Sequence, residues 1–441
     1  MTTETNITPL RPEPRLYSRD EHTISRQHIS PNAIKVLYRL HNAGFRACLV
    51  GGGVRDLLLG REPKDFDIAT DALPEQVREL FRNCRLIGRR FRLAHVRFGR
   101  EIIEVATFRA NHEPDSESAQ INDDGRIVRD NVYGTIDDDV WRRDFTVNAL
   151  YYDIADFSVI DYTGGFDDLR AGRMRLIGDP AQRYREDPVR MLRAIRFARK
   201  LGFKLESNAA DAIPDMAHLL EEISPARLFD ETIKLFHCGA AAPVLEALRQ
   251  HDLFRYLFPA ANATLASQSG GFPQMLIGRA LENTDDRINA GKSVTPAFLV
   301  SAMLWQPLQD ECEQLEKSGV APRDAFELAC DTVLSRQVAS LAIPRRITQA
   351  TREIWDLQGR LEKRLPSKIF RLLDHPRFRA AYDFLEIRVR AGAPLAETFD
   401  WWTDIQQVDD PAREAMVQVL REARGGNDSK RPRRRRRRRR D

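Results

Sequence analysis

The sequence predicts a small mixed α/β head followed by an all-helical remainder, on three observations. Strand-like apolar runs alternate with short amphipathic stretches up to about residue 160, whereas between about residues 180 and 420 nearly every apolar pattern has the helical period. A run of three glycines joins the first buried-strand candidate to the first short helix candidate. With 441 residues, 42% of them hydrophobic and 30% charged, the chain holds two or more domains and is too apolar for wholesale disorder.

Taken in order, residues 1–30 are rich in Thr and Pro and read as a mobile leader to the fold. Helical periodicity over 33–42 stops at Gly44. A strand at 46–50, a helix at 54–59, a strand at 65–69 and a helix at 74–81 follow, and then 93–98 and 101–108 flank Gly99-Arg100 as a hairpin. Residues 111–130, rich in Asp, Asn, Ser and Gly, read as a flexible loop, and 156–160 carry the last strand signal. The division this implies is a head at 31–175, a neck at 176–240, a body at 241–420 and a tail at 421–441.

Composition narrows the setting. The opening residues lack the apolar core of a secretory leader, and the longest uncharged apolar-rich segment, 293–309, contains two prolines and falls short of the ~20 residues of a membrane span. Five scattered cysteines without a C-x-x-C pair fit reduced thiols, so the expected compartment is the cytoplasm. Residues 430–441, KRPRRRRRRRRD, carry a net +9, which leaves −5 on the rest of a chain whose total is +4. Such a block cannot fold alone and reads as a disordered arm for polyanions. Deleting residues 430–441 is therefore expected to weaken polyanion affinity and flatten its salt dependence, checked by titrating a single-stranded polynucleotide at several salt concentrations.

The stretch LVGGGVRDLLLGREPKDFDIATDA, residues 49–72, carries the chemistry. Gly51, Gly52 and Gly53 let the backbone approach an anion closely, the following helix turns its positive end toward it, and Arg55 adds a fixed charge. Alone the glycines read equally as a tight turn, and the dinucleotide fingerprint fails because Asp56 stands where it needs Gly or Ala. Asp65 and Asp67 arrive too soon for a ribose-binding acid. If strand-borne, both carboxylates project from one face while Phe66 and Ile68 point into the core, an arrangement suited to Mg²⁺ ions bridging to substrate phosphates.

Two further motifs join it. In RRDFTVNALYYD, residues 142–153, Arg143 and Asn148 can contact a triphosphate and a ribose, and Asp144 supplies a third carboxylate. Glu104, on the strand after Ile102 and Ile103, competes for that third place, and the sequence leaves the choice open. REDPVRMLRAIRFARKLGF, residues 185–203, reads as a helix start with Asp187 as N-cap and Pro188 at the first position. Asp187 and Arg190, three apart, share a helical face, where one accepts and the other donates. Arg193 and Arg196 extend the stripe and can meet phosphates or solvent, with Leu192, Ile195 and Ala198 on the buried side.

GGGVRD with DFD, then RRDFTVNALYYD, then REDPVRMLRAIRFARKLGF closely resemble the bacterial poly(A) polymerase and tRNA CCA-adding enzyme family of nucleotidyltransferases, in motif order and spacing across residues 30–240. LIGRRFRLAHVRF at 86–98, SLAIPRR at 340–346 and the arginine-rich tail resemble its poly(A) polymerase branch. The resemblance implies an α/β nucleotidyltransferase head of polymerase-β-like type with a small mixed sheet, followed by an all-helical neck, body and tail. It implies template-independent addition of AMP from ATP to RNA 3′ ends, marking transcripts for decay, with Mg²⁺ on Asp65 and Asp67 and Asp144 in the active site. Gly51, Gly52 and Arg55 would hold the triphosphate, with Arg143, Asn148, Asp187, Arg190, Arg193 and Arg196 as the other nucleotide-binding residues. Implied partners are ATP, RNA 3′ ends and RNA chaperone or RNA-decay proteins. The rivals are CCA addition to tRNA and, in another class, a non-catalytic RNA-binding protein on a degenerate transferase fold.

Overall fold

The computed structural model describes residues 12–88, 92–110, 120–121, 127–129, 132–267 and 271–428; the arginine run at 430–441 lies outside them. The chain divides into two compact units between Met216 and Ala217, inside the stretch read as the neck.

The first unit is built on eight strands: β1 (Arg15–Tyr17), β2 (Ala47–Val50), β3 (Asp67–Thr70), β4 (Cys84–Ile87), β5 (Leu93–Phe98), β6 (Glu101–Thr107) and, after a separate short hairpin of β7 (Gln120–Ile121) with β8 (Ile127–Arg129), β9 (Leu150–Asp153) and β10 (Val159–Asp161). They lie in the order β1-β10-β9-β2-β3-β6-β5-β4. Only β3 and β6 run parallel. β2 sits at the centre because all four of its residues are apolar and buried, as a strand paired on both edges requires.

Helix α1 (Pro31–Asn42) begins where Ser30 Oγ accepts the Asn32 N–H and Pro31 takes the first position, and it buries Val36, Leu37 and Leu40 against one sheet face. Helices α2 (Gly52–Leu58) and α3 (Pro74–Leu80) follow β2 and β3. On the opposite face Cys48, Val50 and Ala69 pack with Ile136 and Val140 of α4 (Ile136–Arg142). Then α5 (Gly165–Arg170), α6 (Pro180–Glu186) and α7 (Val189–Leu201) complete the surroundings of the site. Along α7, Leu192, Ile195 and Ala198 are buried and Arg193 and Arg196 half-buried, the division the 3.6 period gave.

Four expectations need correction. The leader is not outside the fold over its second half: β1 pairs with β10, and Tyr17 is buried and stacked on Phe166 at 4.0 Å between ring centroids. Residues 111–130 contain the β7–β8 hairpin. Strand structure does not end at 160, since β11 (Arg173–Met174) pairs with β12 (Lys204–Leu205), a two-residue ladder too short to leave an alternating pattern. Finally, β3 starts at Asp67, so Asp65 precedes the strand and is exposed, and Phe66 is half-buried instead of in the core.

The second unit is helical throughout its described residues, and one of its cores gathers Leu357, Leu361, Leu385, Trp402 and Ile405. Among the described residues no helix is long and apolar enough to cross a membrane, and all five cysteines are free.

Candidate active site

The turn from β2 into α2 is made by Gly51 at φ +68°, a left-handed conformation that disfavours a side chain. A Cβ there would stand 3.7 Å from an Arg143 guanidinium nitrogen, and one on Gly52 would stand 3.4 Å from an Arg55 nitrogen. The glycines thus leave bare backbone directly beneath two arginines. Both guanidiniums are fixed from behind. Arg55, almost wholly buried, donates to Asn148 Oδ1 at 2.7 Å and to Asp56 at 2.8 Å. Arg143 donates to Asp139 at 2.9 Å and to the Tyr151 hydroxyl at 2.7 Å, and that hydroxyl donates to Asp139 at 2.7 Å. Burial alone would make Arg143 less basic, but Tyr151 and Asp139 outweigh it and hold the charge firmly on.

Asp67 stands at the same end of the sheet, opposite Val50 on β2 and opposite Glu104 on β6. Burial, then the Glu104 and Asp65 carboxylates, push its pKa up to about 6 from an ordinary 3.8, against a smaller opposing pull from Arg143. The acids that crowd Asp67 are therefore Glu104 and Asp65. Asp144 is engaged elsewhere: its Oδ2 lies 2.5 Å from Arg193, and its Oδ1 accepts the Phe145 N–H. Among the described residues no three His, Cys, Asp or Glu side chains are drawn together at ligand distance.

Above the carboxylates lies a cavity of about 630 Å³, inside the ~300–1,000 Å³ range of small-molecule sites. Its lining includes Gly51, Gly52, Arg55, Asp67, Arg143, Asp144, Asn148, Asp187, Arg190 and Arg193. These expected residues thus converge; Asp65 is not in the lining but is near enough to perturb Asp67, and Arg196 is also outside the lining, its guanidinium carbon 4.3 Å from the Phe197 ring centroid. A larger groove, about 850 Å³, lies in the helical unit around Arg249 and Met275, and none of the motif residues lines it.

Asp187 and Arg190 sit where α6 gives way to α7. Pro188 is the N-cap and the helix starts at Val189, one residue later than expected, while Asp187 Oδ1 still accepts the Val189 N–H at 3.3 Å. Arg190 Nη1 donates to Glu186 Oε2 and to the Arg183 carbonyl, both at 2.8 Å, which aims the guanidinium. Arg183 in turn donates to the Arg142 and Arg143 carbonyls, tying this corner to the end of α4.

Sequence reasoning missed Arg109, Arg142 and Phe197, which also line the cavity. Phe197 has a detectable signal, lying four residues after Arg193 and beside Arg196; its ring face receives Arg55, Arg193 and Arg196 at 5.4, 5.8 and 4.3 Å. Arg109 follows a strand and belongs to no pattern.

A glycine turn under fixed arginines, carboxylates on adjacent strands, and Asp187 and Arg190 lining the same cavity define a nucleotidyltransferase. Family models describing the poly A polymerase head domain, a probable RNA and SrmB-binding site of polymerase A, and the polymerase A arginine-rich C-terminus match residues 47–175, 202–265 and 318–441. Poly(A) polymerase I of Salmonella typhimurium is 50% identical over 93% of this chain and 90% of its own, and that of Haemophilus influenzae is 48% identical over 90% and 88%. The CCA-adding enzyme of Bacillus pumilus is 39% identical over 50% of this chain and 54% of its own. Among solved structures, the Bacillus stearothermophilus CCA-adding enzyme in complex with CTP superposes with a TM-score of 0.54 at 27% identity, covering 83% of this chain and 80% of that one. The chain belongs to the bacterial poly(A) polymerase I family of polynucleotide adenylyltransferases.

Proposed function

We propose that this protein lengthens RNA 3′ ends with AMP taken from ATP, releasing pyrophosphate without a template. The observation that carries this is the convergence of Asp67, the Gly51–Gly52 turn and the Asp187–Arg190 pair on one cavity, with Glu104 beside Asp67 on the adjacent strand. Arg55 and Arg143, held by Asn148, Asp56, Asp139 and Tyr151, are pre-aimed at phosphates, so little ordering accompanies binding. Asp187 can accept the adenine amino group while Arg190 donates to the neighbouring ring nitrogen; guanine and uracil present the opposite order, and cytosine the same one. The pair therefore selects ATP or CTP.

The carboxylates fit Mg²⁺: their oxygens are hard donors, and the crowding that raises Asp67 is what a cation relieves. Asp67, Glu104 and Asp65 would hold it, with Asp144 assigned to orienting Arg193. A Mg²⁺ ion held by them would make an RNA 3′-hydroxyl more acidic and offset charge on the departing pyrophosphate. The deciding experiment incubates purified protein and Mg²⁺ with an unstructured RNA and, separately, a tRNA lacking CCA, with ATP or CTP singly. Long ladders with ATP on both RNAs are expected. Addition of one to three residues, confined to the tRNA and dependent on CTP, would instead make the chain a CCA-adding enzyme.

A further inference from the structure

The catalytic face of the sheet continues past the carboxylates. In register across four adjacent strands stand Asp67 on β3, Glu104 on β6, His95 on β5 and Arg85 on β4, and cross-strand partners share a face. A second row pairs Ile102 with Arg97. The alternate residues Ala94, Val96, Ile103 and Val105 are buried on the other side, where α3 packs. On the near side Ile102 is 38% exposed, and Arg85 and Arg97 are exposed. His95 Nε2 lies 3.1 Å from Glu104. Among the described residues neither Arg85 nor Arg97 has an ion-pair partner, in contrast to Arg46, Arg55, Arg143 and Arg175, each bound to an aspartate.

We propose that this face of β6, β5 and β4 seats the 3′-terminal segment of the RNA being extended, an inference that rests on the function proposed above. In-line displacement requires the attacking hydroxyl to approach from the side opposite the leaving pyrophosphate. The arginines over Gly51 and Gly52 occupy the β2 side of Asp67, which leaves the β6–β5–β4 side for the acceptor. Strand spacing of about 4.8 Å puts Arg85 about 10 Å from Glu104, and Arg97 lies one strand over and two residues along, a reach that spans the last one or two phosphates. Ile102, two residues from Glu104 on the same face, supplies an apolar platform for the terminal sugar or base. Arginines facing outward beside an apolar side chain, with no ion-pair partner among the described residues, complement a nucleic-acid strand in charge and shape.

The test uses the full chain with an unstructured RNA primer, ATP and Mg²⁺, comparing wild type with Ile102→Ala, Arg85→Ala, Arg97→Ala and the double arginine variant. KM for RNA is expected to rise about tenfold in the double variant, and its dependence on log salt to flatten by about one per arginine. KM for ATP and kcat at saturating RNA should stay within twofold of wild type. A primer ending in 4-thiouridine should photocrosslink within residues 93–104. Unchanged KM for RNA, an equal rise in KM for ATP, or crosslinks confined elsewhere would overturn the proposal. A wild-type chain that fails to lengthen RNA with ATP would instead overturn the function on which it rests.

Discussion

Asp67→Asn is expected to lower nucleotidyl transfer by at least three orders of magnitude while making the cation-free protein more stable at neutral pH. The two effects share one cause. Burial and the neighbouring Glu104 and Asp65 carboxylates make ionised Asp67 costly, which is why its pKa is about 6 instead of 3.8. Because the folded state holds this proton more tightly than the unfolded chain does, ionisation works against folding. The penalty is absent below about pH 4, where the group is protonated in both states. It grows between about pH 4 and 6 and is fully present above that. Two pKa units correspond to about 3 kcal/mol at most. Wild type without divalent cation should therefore melt at a higher temperature at pH 5 than at pH 7.5, insofar as Asp67 governs, and Asp67→Asn should reduce that difference. Added Mg²⁺ should stabilise wild type by mass action and leave Asp67→Asn nearly unaffected. Thermal melts at both pH values, with and without Mg²⁺, decide the matter. A variant that is less stable at pH 7.5, or that retains a tenth of the activity, would remove Asp67 from the place assigned to it.

Most of the head's frame is legible in the sequence because local signals and tertiary demands agree there. Ala47–Val50 is apolar without interruption and becomes the central strand; Gly99-Arg100 between two alternating runs becomes the β5–β6 hairpin. The failures share a physical origin in long-range pairing. Nothing around Arg15 announces that it will lie opposite Asp161, some 145 residues away, and two-residue ladders such as β11–β12 leave no periodicity. The site behaves likewise. Asp67, Arg55, Arg143 and Arg190 were visible because their motifs are compact in sequence. Glu104 could only be a candidate until β6 was seen beside β3, since a parallel neighbour is contributed by a segment that local pattern cannot register. Asp144 reads as a third acid by its position in a motif, while its ion-pair partner Arg193 comes from the distant helix α7.

Arg190→Ala is expected to cut the preference for ATP over GTP by roughly 10- to 100-fold, the loss of one base-reading contact worth about 1–3 kcal/mol, with a smaller fall in turnover. The guanidinium is already aimed before nucleotide arrives, because Glu186 and the Arg183 carbonyl hold one of its nitrogens. Removing it leaves Asp187 accepting an amino group but leaves nothing to penalise a base that presents a ring N–H. Arg190→Lys should not restore the preference, since an ammonium cannot satisfy two anchors and a ring nitrogen in one plane. Glu186→Gln should fall between wild type and Arg190→Ala, because it keeps an acceptor for Arg190 and weakens the charge that fixes it. The measurement is kcat/KM for ATP, CTP, GTP and UTP on one RNA. Selection by a protein hydrogen-bond pair demands that ATP and CTP lose ground together against GTP and UTP. If Arg190→Ala lowers all four equally, the residue binds phosphate or supports the fold, and base choice resides elsewhere in the cavity.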